Sequence, residues 1–344
     1  MRYGIVFGGK SFEHEISIVS AIAMKKVLKY KPEFIFVDQF KDMYHIPYKK
    51  MKSKLFSTAE YKKFDKLFFK KGGIYKDGFF GEKKIKFDML LNLIHGQDGE
   101  DGKIASVFEF YDIKYIGPRV EASVVSYNKL LTKIYAKLLG VKALKFQKFS
   151  KNDKVIVDDY PAIIKPARLG SSIGVSVVSC EDELEYALDV AFEFDDDIII
   201  EPFINNIKEL NLAGAKIDGK FYFSTIEEPS KDKFLDFDKK YLDFSRTKKV
   251  KKADINDILS QRVEEAFKTV YNTTFEGSII RCDFFIYKGE VVLNEINSIP
   301  GSYANYLFDD FNSIIDGVAN SLPKSNDITV DYAYVNKIQS IKGK

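Results

Sequence analysis

Four side chains near the C-terminal end, Arg281, Asp283, Glu295 and Asn297, carry the most legible chemistry in this sequence. They lie in GSIIRCDFFIYKGEVVLNEINSIPG, residues 277–301. A Lys288-Gly289 turn separates two apolar runs, so the segment reads as a β-hairpin. Positions i and i+2 of a strand share a face. Glu295 and Asn297 therefore point the same way, and antiparallel pairing can bring Asp283 alongside them. Three oxygen ligands on one face suit a hard cation such as Mg²⁺, with phosphate oxygens completing the octahedron. Arg281 shares the face of Asp283 and offers a planar donor fork to an anion. An acidic hairpin facing water is the plainer reading, and the strongly apolar flanks argue against it.

Three further groups could serve the same chemistry. Lys165 ends an apolar strand, and the loop Arg168-Leu-Gly-Ser-Ser-Ile-Gly174 follows. Glycines let backbone N–H groups approach phosphate oxygens, and Ser171 and Ser172 add hydroxyls. No Gly-Lys-Ser/Thr follows, so this is not a Walker A loop. Glu201-Pro-Phe-Ile204 closes another apolar run; Pro202 cannot donate to a ladder, which exposes backbone groups able to read a purine edge. Without the other motifs it would be a plain strand end. Glu13 and His14 open the first helix, where a carboxylate also suits the helix dipole. Such a helix start is equally a place for Glu13 to hold an ammonium group. His95 opens a second glycine turn on the same rim.

These residues need elements to position them. Tyr3 to Phe7, Phe34 to Val37 and Phe87 to Ile94 read as strands, and apolar spacing from Ile16 to Leu28 as a helix. The alternation argues for a doubly wound α/β domain, with both glycine turns beyond the carboxyl ends of its strands. A helix is expected over Lys103 to Tyr111. Gly117-Pro118 is a boundary. Beyond it come a helix over Ser126 to Leu139 and strands near Ala143 to Phe149, Ala162 to Lys165 and Ile198 to Ile204. A helix over Glu181 to Phe194 and a hairpin across Asp218-Gly219 are also expected. Glu227 to Lys252 is polar with interspersed aromatics, a length that suits a lid. A helix over Ile255 to Tyr271 precedes the hairpin of acidic residues.

Composition narrows the setting. The 344 residues carry 53 basic and 50 acidic side chains, a net charge of +3, which gives no general attraction to nucleic acid or membrane. Any anion site must be local. Two cysteines far apart make no disulfide framework and fit a reducing cytoplasm. No apolar stretch approaches the ~20 residues of a membrane span, and no signal peptide is expected.

Taken together, FGGKSFEHEIS, HGQDGEDG, KPARLGSSIGV, IIIEPFI with KELNLAG, KKY, and RCDFF with NEINSIPGS resemble the D-alanine–D-alanine ligases of the ATP-grasp superfamily. The resemblance covers nearly the whole chain. It implies an N-terminal α/β substrate-binding domain (1–119), a central ATP-grasp domain (120–203) and a C-terminal ATP-grasp domain with lid and metal hairpin (204–344). It implies ATP-dependent ligation of two D-alanines through an acyl phosphate, for peptidoglycan precursors. Glu13 would hold the first ammonium, with His95 near the carboxylate. Ser171, coupled to Glu13 and Tyr241, would orient the substrates. Lys129, Lys165 and Ser172 would contact phosphates, and Glu201, Phe203, Ile204 and Glu209 adenine and ribose. Lys240 and Tyr241 would sit on the closing lid. Asp283, Glu295 and Asn297 would hold two Mg²⁺ ions, with Mn²⁺ as a substitute. Arg281 and the Gly301 backbone would stabilise the tetrahedral intermediate, with Tyr306 and Leu307 at the second alanine. A cytoplasmic homodimer is expected. Relatives often carry polar residues at positions 167 and 169, a lysine at 202 and a serine at 306, where this chain has Ala167, Leu169, Pro202 and Tyr306. Two other readings remain: a related carboxylate–amine or D-alanine–D-lactate ligase, and a non-enzymatic nucleotide-binding module. Tyr241 argues against the lactate variant, and the complete metal and lid motifs against the module.

Overall fold

The computed structural model describes residues 1–229, 251–323 and 328–342. The first sheet has eight strands. Its parallel part runs Glu33–Val37, Tyr3–Gly8, Met89–Asn92 and Tyr115–Ile116. Alternate residues of the first strand face opposite layers. Ile5 and Phe7 pack with Ile18, Ala21 and Met24 of the His14–Val27 helix, while Val6 packs with Ala105 and Phe108 of the Lys103–Phe110 helix. Burial on both faces is what the continuous apolar runs require. Because these strands are parallel, the turns after Gly8 and after Asn92 emerge at one edge. Lys10 N–H donates to Asp98 there, at 3.0 Å.

Sequence reasoning passed over residues 43–84. They extend the sheet with four antiparallel strands, Met43–Ile46, Lys66–Lys70, Gly73–Lys76 and Lys83–Lys84. Their short, lysine-rich stretches hide the apolar alternation.

The helix expected over Ser126 to Leu139 is two helices, Val120–Tyr127 and Lys129–Leu138. Asn128 breaks the run with extended backbone, and its side chain accepts from Leu130 N–H and Leu131 N–H. Asparagine is a strong N-cap, and the cap prevails over continuity of helical spacing. The strand expected near Ala143 is Gln147–Ser150; Ala143 makes only an isolated bridge to Leu293.

Two four-stranded antiparallel sheets complete the described fold. One runs Ser176–Val178, Ala162–Pro166, Asp197–Pro202, Gln147–Ser150. The other runs Lys220–Phe223, Lys208–Ile217, Ile280–Tyr287, Glu290–Asn297, backed by the Asp257–Thr274 helix. In that helix Val263, Phe267 and Val270 are fully buried. Glu227 bridges Asn211 and Lys252, pinning the base of the expected lid. Residues 230–250, with Lys240 and Tyr241, lie outside the described residues. Among the described residues no helix is long and apolar enough to cross a membrane.

Candidate functional site

The expected hairpin forms, with Tyr287 paired to Glu290 across the Lys288-Gly289 turn. Arg281 pairs with Asn297 and Asp283 with Glu295, so all four side chains meet on one face. The register shifts after Asp283, where Phe284 pairs with Leu293, and this bulge was not legible in sequence. Arg281 donates to both Asp283 oxygens, at 2.6 and 2.7 Å. Asn297 Nδ2 lies 3.0 Å from Asp283 and 3.4 Å from Glu295. From the neighbouring strand Asn211 faces Asp283; oriented to suit both acceptors, its amide donates to Glu209 and Asp283 at 3.2 Å. Burial raises the Asp283 carboxyl to about 6 even against the Arg281 charge. Two donors from Arg281 and one each from Asn297 and Asn211 face that carboxylate. Among the described residues no group of three or more His, Cys, Asp and Glu is placed to hold a metal. Two carboxylates and one amide fit a hard cation only with phosphate oxygens in the remaining positions.

Glu13 is 5% exposed at the start of its helix. Its side chain does not cap that helix. Ser171 Oγ donates to Glu13 Oε1, whereas Oε2 is buried with no hydrogen-bond partner. Two loops leave room for it. A Cβ at Gly96 would come within 2.7 Å of Oε2, and one at Gly170 within 2.9 Å of Oε1. Burial, with Glu100 beside it, lifts the Glu13 carboxyl to about 7.

His95 is buried, and burial lowers its imidazole to about 4. Its Nε2 lies 2.9 Å from Ser20 Oγ and its Nδ1 3.5 Å from Glu100. Burial in turn raises Glu100 to about 8. Ser20 also accepts from Ser302 N–H at 3.2 Å, which joins the His95 rim to the segment after Gly301. That segment turns left-handed, with φ of 51, 54 and 50° at Ser302, Tyr303 and Ala304. Such backbone is unfavourable for side-chain-bearing residues and persists only where surroundings over-determine it. Here Tyr303, fully buried, donates to the Asn92 and Ile116 carbonyls at 2.7 and 3.0 Å. In front of Gly301 there is open space, since a Cβ there would meet nothing within 4 Å. Tyr306 packs beside Ala213 and Ala304, and Leu307 is buried against the same residues. The Leu307 carbonyl accepts from Thr225 N–H at 3.0 Å.

Lys129 opens its helix, and its ammonium donates to the Leu169 carbonyl of the glycine loop. Desolvation lowers its pKa, opposed by Glu295, Glu13 and Glu201 and reinforced by Lys165. Ser171 and Ser172 take φ of 60° in the loop. Arg168 is held away from the loop's centre by Asp195 and Asp197, at 2.6 Å each. Lys165 Nζ lies 2.7 Å from Glu201 Oε2, and Lys133 Nζ 2.5 Å from Oε1. Both Glu201 oxygens thus face lysine ammonium groups, with a hydrogen bond formed at Oε2 alone, and its backbone pairs with Ile163. Phe203 N–H donates to Pro161 at 2.8 Å, and Ile204 joins a small apolar cluster with Leu144, Phe285 and Val292.

Lys133, Glu100, Ser20 and Asn211 escaped sequence reasoning. Spacing could have found two of them. Lys133 falls four residues after Lys129, on the same helical face. Asn211 falls two after Glu209, on the same strand face.

A doubly wound α/β sheet followed by two antiparallel sheets, with lysines and carboxylates drawn from all three, defines an ATP-grasp protein. The chain belongs to the D-alanine–D-alanine ligase family: the D-ala D-ala ligase N-terminus model matches residues 2–118 and the D-ala D-ala ligase C-terminus model residues 110–311. It is 57% identical to a D-alanine–D-alanine ligase of Wolinella succinogenes, over 100% of both chains. It is 55% identical to that of Campylobacter concisus, over 100% of this chain and 99% of the relative. The crystal structure of D-alanine–D-alanine ligase from Helicobacter pylori, 48% identical, superposes with a TM-score of 0.85 over 95% of this chain and 100% of that one.

Proposed function

We propose that this chain ligates two D-alanine molecules to D-alanyl-D-alanine with conversion of ATP to ADP, through an acyl phosphate, for peptidoglycan precursors. Full-length similarity to D-alanine–D-alanine ligases supports the reaction. The observation that carries the mechanism is Lys129. Its ammonium donates to the Leu169 carbonyl of the same glycine loop whose Ser171 donates to Glu13, which supports reading the phosphate loop and the ammonium site as one centre.

Each part of that centre has a task in the proposal. The unpartnered Glu13 oxygen receives the ammonium of the first D-alanine, and Ser171 fixes the carboxylate that does so. Neutral His95 lies beside the substrate carboxylate. Lys129, Lys165 and Ser172 hold phosphates. Glu201, the Phe203–Ile204 backbone and Glu209 hold the nucleoside. Asp283, Glu295 and Asn297 would hold Mg²⁺, which when bound neutralises phosphate charge. Asp283 locks the Arg281 fork, and that fork with the Gly301 backbone faces the charge of the tetrahedral intermediate. The Tyr306 ring walls the second alanine, near the Leu307 backbone. Positioning and charge neutralisation supply most of the rate, as phosphoryl transfer asks little covalent work of a protein. The three domains divide at 119/120 and 203/204, and the enzyme works as a cytoplasmic homodimer.

The test is turnover of ATP with single amino acids. ADP should form with D-alanine and Mg²⁺, and not with L-alanine. ADP formation independent of the amino acid would defeat the proposal.

A further inference from the structure

Glu201 closes the Asp197–Pro202 strand with 2% of its surface exposed, between two ammonium groups that differ in kind. The Lys133 side chain is 2% exposed, 2.5 Å from Oε1, with its ammonium also 3.5 Å from the Asn294 carbonyl. The Lys165 side chain is 13% exposed, 2.7 Å from Oε2, at the end of the strand that leads into the glycine loop. Burial alone would raise the Glu201 carboxyl, but the charges of Lys165 and Lys133 outweigh it and hold the group ionised.

A buried carboxylate stripped of its counter-charge is strongly unfavourable. A lysine that is the sole partner of such a group cannot turn to a ligand without stranding it. A lysine that shares the group with a second, permanently buried ammonium can.

We propose that Lys133 is a positioning residue for nucleotide binding: it is the standing counter-charge of Glu201, and its presence frees Lys165 to leave that carboxylate for a nucleotide phosphate. The inference rests on the reading of Lys165 as a phosphate ligand. It also gives a reason for a second lysine in a core position.

The test is calorimetric titration of ADP and of adenosine into wild type, Lys133→Met, Lys165→Met and the double variant Lys133→Met/Glu201→Gln. Lys133→Met should lose about tenfold or more in ADP affinity. Its adenosine affinity should stay within about twofold of wild type, because adenosine brings no phosphate for Lys165 to follow. Glu201→Gln in the same chain should restore ADP binding to within about threefold of wild type, since no buried charge is then left to strand. The double variant replaces the pair by neutral groups of similar size, so it carries the test if Lys133→Met alone does not fold. Unchanged ADP affinity in Lys133→Met, an equal loss for adenosine, or no restoration by Glu201→Gln overturns the proposal. If Lys165→Met binds ADP as tightly as wild type, the phosphate role of Lys165 falls and the proposal with it. That result differs from a failure confined to Lys133.

Discussion

Glu13→Gln separates the charge of Glu13 from its fit. Burial, with Glu100 beside it, raises the Glu13 carboxyl from the ordinary 4.5 to about 7. The folded protein therefore keeps this proton at pH values where the unfolded chain has lost it. Its stability falls as pH rises from 4.5 to about 7 and stays lowered above that. At about 1.4 kcal/mol per pH unit, the ionised Glu13 destabilises the fold by about 3 kcal/mol at pH 8. The glutamine variant carries no charge, but its amide meets the space where Oε2 has no partner, which costs about 1 kcal/mol. The expected result is a variant about 2 kcal/mol more stable than wild type at pH 8. Near pH 4.5, where Glu13 is protonated in the folded state and half protonated in the unfolded one, the advantage should vanish or reverse slightly. Urea unfolding followed by circular dichroism at the two pH values measures this. The same variant should lose D-alanine-dependent turnover, having no carboxylate for the ammonium. Equal destabilisation at both pH values would refute the reasoning, because it would mean that burial places no stress on the Glu13 charge.

Glu295→Gln should remove most turnover at millimolar Mg²⁺ while circular dichroism shows an intact fold, because the site is oxygen-only and charge-dependent; near-normal turnover would end the metal assignment. Tyr306→Phe keeps the ring and deletes the hydroxyl, and if the ring is a wall, KM for the second alanine should rise by much less than about tenfold. A larger rise, with ATP affinity unchanged, would show that the hydroxyl binds the carboxylate. Tyr303→Phe should lower stability by about 1–2 kcal/mol, because two buried carbonyls lose a donor and the left-handed turn loses its anchor; an unchanged urea midpoint would contradict that.

The hairpin was legible because period-2 geometry fixes which residues share a face. The turn was legible too, but counted from Tyr287 opposite Glu290 it sets Asp283 opposite Asn294 rather than Glu295. The bulge after Asp283 was not legible, since an extra residue leaves no mark in an apolar run. The parallel strands around Tyr3–Gly8 were legible from unbroken hydrophobicity, whereas the antiparallel strands from Met43 to Lys84 were not, because lysines on their exposed faces dilute the signal. Helical spacing carried the reader across Asn128, where a local cap ends one helix and starts another. Glu13 and Ser171 were named from motifs and their coupling came from the resemblance alone; the fold makes it as a hydrogen bond between residues 158 apart. Lys133 looks in sequence like an ordinary polar position on an amphipathic helix, and its meaning lies in the carboxylate it faces.

The acyl phosphate is the central claim, and isotope transfer tests it most directly. D-Alanine labelled with ¹⁸O in both carboxylate oxygens is incubated with ATP, Mg²⁺ and the protein, and the products are weighed by mass spectrometry. The account predicts D-alanyl-D-alanine together with inorganic phosphate carrying one ¹⁸O from the activated carboxylate. Dipeptide formed with unlabelled phosphate, or phosphate released without dipeptide, would contradict it.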